Sequence, residues 1–429
     1  MTESSPKSSL TKKIFRALLA LILCPIVLLW VLIVALYIPA VQKKAVEKVC
    51  RWVGENSEYQ MSIGAFHLQF PLTATIDSFL IKKDSATILE GRQIKADIHP
   101  AALLRGAVEV NYITIDHTQI DTRDLIQSTH IKGSIGNFRA TARSIRPSEK
   151  SVGLRRVHLA DSNFDVTLSP TKEDEDSTKN NNDWIITLRK GVINNVGVNI
   201  TIPDDTIAIS TKIGQFKIAD ATADLGSEKF GVQTLTLKHS SAQYNRGTQP
   251  DSIAPLDHLW ATDIGLSAGP LSYCPTGASA LIKEFTLTQK DGFKVKQLSL
   301  LAEADEKSLR LDRLSLTTAN GTTLGAKAII PQELLKGLKG GRASATAKLH
   351  IEKPDLRRLV SSSLYKSIDF LPDSMLDASI KLSGNLQQLS IDTLSATVPL
   401  LSRIGARGTI NNIDKGKALS AQIHFDGQI

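Results

Sequence analysis

Apolar and polar positions alternate along most of this chain. From residue 57 onward, runs in which Ile, Val and Leu fall at alternate positions recur, as in strands with one covered and one wet face. The alternation is punctuated by a recurrent pattern, apolar-x-apolar-x-x-apolar-x-apolar. It reads Ala74, Ile76, Phe79, Ile81, then Val108, Val110, Ile113, Ile115, then Val152, Leu154, Val157, Leu159. It returns as Phe230, Val232, Leu235, Leu237, as Phe293, Val295, Leu298, Leu300, and as Leu309, Leu311, Leu314, Leu316. A degraded copy starts at Ile186, and the first five starts are then 34, 44, 34 and 44 residues apart.

A second pattern, Ile-Gly-x-Phe, occurs at Ile63–Phe66, Ile135–Phe138 and Ile213–Phe216, with a looser copy at Ile282–Phe285. Its intervals are 72, 78 and 69 residues, close to the sum of one 34-residue and one 44-residue step. Two patterns with one period indicate a repeat architecture, whose units bury their apolar faces only against neighbours. The central step of three reverses side-chain parity, so it predicts a bulge or tight corner in each copy. The glycine of Ile-Gly-x-Phe marks a bend or a close backbone approach. Phe164, Val166 and Leu168, after the turn-like Ala160-Asp161-Ser162-Asn163, predict a further strand, as do Val196, Val198, Ile200 and Ile202. The expected arrangement is a run of antiparallel hairpins and meanders. Ile63, Phe66, Ile135, Phe138, Ile213, Phe216 and Phe285 are the candidate lining of its apolar face.

The N-terminal region has a different period. Ala17 to Ile38 holds no charged residue, and these 22 positions make a helix of about 33 Å, enough to cross a hydrocarbon core. This predicts a cytoplasmic tail over 1–13 and a transmembrane helix over 14–38, with Trp30 and Tyr37 as aromatic anchors. A signal-cleavage site ending at Ala40 would need a small residue where Ile38 stands, so the helix reads as uncleaved. Over 39–56, Val41, Ala45, Val49 and Trp52 form an apolar stripe, with Gly54 as a plausible stop. Such a helix suits either a membrane surface or the end of the β body. A further helix is expected from Asp355 to about Phe370, closed by Pro372. Residues 170–183 are a polar interruption read as a solvated loop rather than a calcium loop, lacking the Gly and terminal Glu of an EF-hand.

Charge changes the picture little. The net charge is +8, half of it within residues 1–60, so the body is nearly neutral and shows no basic stripe of a nucleic-acid binder. Of three cysteines, Cys24 lies in the apolar segment, and Cys50 and Cys274 are too far apart in sequence to suggest a framework or a zinc site. A bridge between those two stays open. No nucleophile elbow, phosphate-binding loop, zinc-helix motif or C-x-x-C is present, so no catalytic, cofactor or metal residues are assigned. Asn320-Gly321 reads as a hairpin turn.

The order of parts resembles the AsmA-like superfamily, most of all the N-terminal part of the TamB type, the inner-membrane component of the translocation and assembly module. The resemblance rests on Tyr37-Ile-Pro-Ala-Val-Gln42, on Met61-Ser-Ile-Gly64 opening the strand runs, on Leu382-Ser-Gly-Asn-Leu386 with Leu389-x-Ile391, and on Gly405-Ala-Arg-Gly-Thr-Ile410. It implies a mainly β protein: an N-terminal transmembrane helix, then over 57–429 an elongated, repetitive, antiparallel β-groove (taco-like) with a few short helices. It further implies an inner-membrane anchor, a periplasmic body, phospholipid acyl chains as cargo and an outer-membrane barrel protein as partner. The implied role is phospholipid transport between the two membranes, or alternatively assembly of outer-membrane β-barrel proteins. Family members of this type are usually longer, so the chain reads as a fragment or as a shorter relative.

Overall fold

The computed structural model describes residues 37–100, 110–125, 128–146, 149–169, 183–247, 258–336, 340–359, 376–398, 402–413 and 420–428. The expected membrane helix, including Trp30, therefore lies outside the described residues except at its last two positions. Among the described residues no helix is long and apolar enough to cross a membrane. The chain is mainly β, with nineteen strands and three α-helices described. It divides into two units, Met1–Gln119 and Ile120–Ile429.

In the first unit, α1 (Pro39–Asn56) starts on a proline, whose missing N–H costs nothing at that position. It runs two residues past Gly54, the expected stop. Its Gln42 is buried and brackets the backbone of Leu68: Nε2 donates to the Leu68 carbonyl and Oε1 accepts from the Leu68 N–H, both at 3.4 Å. The helix thus packs on β1 (Tyr59–Gln69), while Trp52 on another face is 63% exposed. The strands β1, β2 (Thr73–Lys83) and β3 (Ala86–Ile98) form an antiparallel meander in which Ile63 faces Phe79 and Phe66 faces Ile76. β4 (Val110–Asp121) runs from this unit into the next.

The second unit holds β5 (Thr129–Arg146), β6 (Ser151–Leu168), β7 (Ile185–Ile202), β8 (Ile207–Asp224), β9 (Lys229–Arg246), β10 (His258–Cys274) and β11 (Gly277–Gln289). It continues through β12 (Lys294–Ala304), β13 (Ser308–Thr318), β14 (Thr323–Pro331), β15 (Ala343–Ile351), β16 (Leu376–Gly384), β17 (Gln388–Val398), β18 (Ser402–Asn411) and β19 (Ser420–Gln428). Each strand from β5 to β19 is hydrogen-bonded to its sequence neighbours, giving an open sheet. Two short helices, α2 (Gln332–Leu335) and α3 (Lys353–Leu359), flank β15.

Two expectations need correction. Within the β1–β3 meander and from β5 to β19 the pairing is antiparallel except between β6 and β7, which run parallel, Ser151 beside Ile185 and Thr167 beside Thr201. Parallel neighbours need a crossover of about a dozen residues or more, and the 16 residues between Leu168 and Ile185 supply that length. Ala160–Asn163 is not a turn either. It lies inside the 18-residue β6, where Asp161 takes φ +51° and the ladder continues on both sides. The same left-handed residue recurs mid-strand at His117, Asn195 and His239. With Asp161 their spacings are 44, 34 and 44 residues, the period of the sequence repeat. Asn, Asp and His enter this region at least strain among non-glycine residues. Polar residues inside the apolar runs thus mark kinks within long strands, not breaks between short ones.

The expected bulge is present in the copies carried by β6, β12 and β13, whereas the copies in β2, β7 and β9 pass the step of three without a register shift there. Leu154 faces Ala142 while Arg156 faces Thr141, leaving Arg155 as the extra residue. Lys296 is skipped between Val295 and Gln297, and Asp312 between Leu311 and Arg313. Each bulge absorbs the parity switch, so the apolar positions on either side return to one face.

Candidate apolar face

Residues directly opposite in a ladder share a face of the sheet. Following register from strand to strand gives one row: Phe138, Leu159, Ile193, Phe216, Leu237, Leu266, Phe285, Leu298, Leu316, Leu324, Leu349, Ala378, Ala396 and Ile404. The row crosses β5 to β18 without a polar member. At a strand spacing of roughly 4.8 Å, its thirteen intervals amount to about 62 Å. Three sequence-predicted lining residues, Phe138, Phe216 and Phe285, fall on this row three strands apart. Ile213 lies one kink away on β8, opposite the buried Val196. Ile135 sits at the corresponding break in β5, between the pairs Ser134–Asn163 and Asn137–Ala160. Ile63 and Phe66 belong to the first unit, on β1. All seven are half-buried.

That half-burial separates an open face from a sealed core. In the second unit the buried apolar residues among those described are Ala160, Val196, Ala268, Val295, Ile351 and Ala406, three of them alanines. A two-sheet sandwich interdigitates large side chains from both inner faces, and here the large ones stay partly open to solvent. Apart from Ile404, which is 48% exposed, every residue of the row is half-buried.

The kinks are built from backbone and small polar groups. Ser162 and Ser240, each 4% exposed, accept from the N–H of Gly136 and Gly214 at 3.2 and 3.1 Å. Each serine also donates to the carbonyl two residues back, Ala160 at 2.9 Å and Lys238 at 3.1 Å. A Cβ at Gly136 would collide with the Asp161 carbonyl oxygen, and one at Gly214 with that of His239. The Ile-Gly-x-Phe glycine is therefore a close backbone approach to the left-handed residue of the next strand, and the serine partner 26 residues on completes the unit.

Other polar groups serve the scaffold. Asn320-Gly321 does form the β13–β14 turn, with Gly321 at φ +104°. Asn320 also donates to Asp355, a fully buried carboxylate on α3 that accepts from Thr318 Oγ1 at 2.5 Å and from Asn320 Nδ2 at 2.6 Å. The expected helix from Asp355 to Phe370 is described only as α3, the remainder lying outside the described residues. On β15, the carboxylates of Asp377 and Glu352 raise the pKa of His350 above the ordinary imidazole value, Asp377 through a 2.8 Å hydrogen bond. Tyr37 donates its hydroxyl to the Pro71 carbonyl at 2.6 Å. Cys50 and Cys274 are free thiols. Among the described residues no cluster of His, Cys, Asp and Glu could hold a metal ion. The polar run 170–182 is outside them.

One grouping is invisible in the linear sequence: Arg155, Arg156, Arg189, Lys190 and Lys217 line a single depression on the opposite, polar face. The protein these features define is a repetitive β-sheet protein with one open apolar face. Comparison with protein-family models and with curated proteins finds no match.

Proposed function

We propose that this chain is an inner-membrane-anchored periplasmic protein whose apolar β-face forms a groove that carries phospholipid acyl chains between the inner and outer membranes. The observation that supports this reading is the uninterrupted apolar row from Phe138 to Ile404, half-open along its length. Each methylene of an acyl chain that leaves a bilayer forfeits about 0.8 kcal/mol of burial. An apolar face of this kind returns that energy strand by strand, so movement along it is nearly isoenergetic and needs no catalytic group. The anchor rests on the uncharged stretch from Ala17 to Ile38, and the taco-like curvature and the outer-membrane barrel partner rest on the AsmA-like resemblance.

The test is site-specific photocrosslinking in cells. A photoreactive residue at Phe138 or Phe216 is expected to yield phospholipid adducts by mass spectrometry. Lys132 and Ser210, exposed positions between apolar-face residues on the same two strands, should yield none. Adducts only within the chain at both phenylalanines would sink the conduit. Adducts to a nascent barrel polypeptide in place of lipid would carry the assembly alternative instead.

A further inference from the structure

The central step of three in each repeat leaves two consecutive residues between flanking apolar positions. In β6 these are Arg155 and Arg156, between Leu154 and Val157; in β7 they are Arg189 and Lys190, between Leu188 and Gly191. The parallel register sets Leu154 beside Leu188 and Val157 beside Gly191, so the two basic pairs fall side by side on adjacent strands. Lys217 on β8 faces Val192 and joins them from the next strand. All five are exposed, and together with Thr141, Thr234 and Thr236 they line one depression of about 760 Å3. Asp220 is the single carboxylate of that lining. Among the described residues none of the five cations forms an ion pair.

Like charges opposite one another in a sheet are destabilising. This unit keeps four of them in register with a fifth alongside, against one carboxylate, Asp220, that forms no ion pair with any of them. We infer that the depression binds a multiply anionic phosphorylated group. Its size is that of a small-molecule site. Guanidinium forks grip phosphoryl oxygens in pairs, lysines add point charge, and the three threonine hydroxyls supply further donors. The site lies on the polar face and does not depend on the apolar row. The group could be presented by a lipid headgroup or by a soluble phosphate, and the chemistry is shared.

The full chain, held in phosphatidylcholine nanodiscs, is titrated with inorganic pyrophosphate by calorimetry. It is also floated with separate vesicles of phosphatidylcholine with or without phosphatidic acid, whose phosphomonoester headgroup is multiply anionic. The expected result is pyrophosphate binding that weakens when salt rises from about 50 to about 200 mM. It should fall at least about tenfold in R155Q/R189Q/K217Q, with an unchanged β circular dichroism spectrum as the folding control. Co-flotation with phosphatidic acid but not with phosphatidylcholine, lost in the variant, assigns the group to a lipid headgroup. Pyrophosphate binding without flotation assigns it to a soluble phosphate. No binding in either arm, or binding the triple substitution leaves unchanged, overturns the inference.

Discussion

Gly136 and Asp161 are one unit, although 25 residues separate them. Asp161 turns left-handed to reverse parity, its carbonyl swings toward β5, and only a residue without Cβ fits opposite. Gly136→Ala and Gly214→Ala should each lower stability by about 1–3 kcal/mol, the range for overpacking. Gly325→Ala, at a position with nothing within 4 Å, should change it by less than about 0.5 kcal/mol. Urea midpoints of the three variants check this. His350 gives a pH signature at the same scale. Its folded-state pKa is raised, so its contribution is full below the unfolded value, about 6.5, and is lost as pH rises through the folded value. Because the pair is partly exposed, the effect is under about 1 kcal/mol. The destabilisation by His350→Gln should thus be largest below about pH 6.5, the unfolded value, and shrink as pH rises through the folded one, read from thermal melts at each pH.

At the scale of elements, the 18-residue strands β5 to β9 are kinked ribbons rather than pairs of short strands. Polar residues in the middle of an apolar run usually signal a turn, and Ala160–Asn163 carries that local signal. The ladder overrides that local signal because one left-handed residue costs little when hydrogen bonding resumes beyond it. The parallel β6–β7 pair has its own test. Cysteines at Thr167 and Thr201 replace directly paired residues, within reach of a disulfide at strand spacing. They should crosslink on mild oxidation, as mapped by mass spectrometry. An antiparallel hairpin would bring Thr167 near Ile185 and leave that pair unlinked.

For the molecule as a whole, the two faces of the second unit's sheet divide the labour. One carries the apolar row, the other the charges. A carboxylate introduced on the row remains half-exposed, so Phe216→Glu should cost only about 1–2 kcal/mol in stability. The same substitution interrupts the path, and phospholipid adducts captured at Phe285 should fall several-fold in the crosslinking assay. A larger stability loss with unchanged adducts would mean that Phe216 packs in a closed core.

The strand content, the period of the repeat, the parity switch in each copy and the place of Phe138, Phe216 and Phe285 on an apolar face were legible in the sequence. These follow from period-two alternation and its parity switch, which are local properties of the chain. The openness of that face follows from the packing and not from the pattern, since alternation is identical whether a second layer covers it or not. Tertiary structure also decided the parallel pairing of β6 with β7, because strand direction depends on where a crossover returns the chain. That pairing sets Arg155 and Arg156 beside Arg189 and Lys190, residues 34 apart in sequence. No sequence window shows them as a cluster, because adjacency across a ladder is set by register.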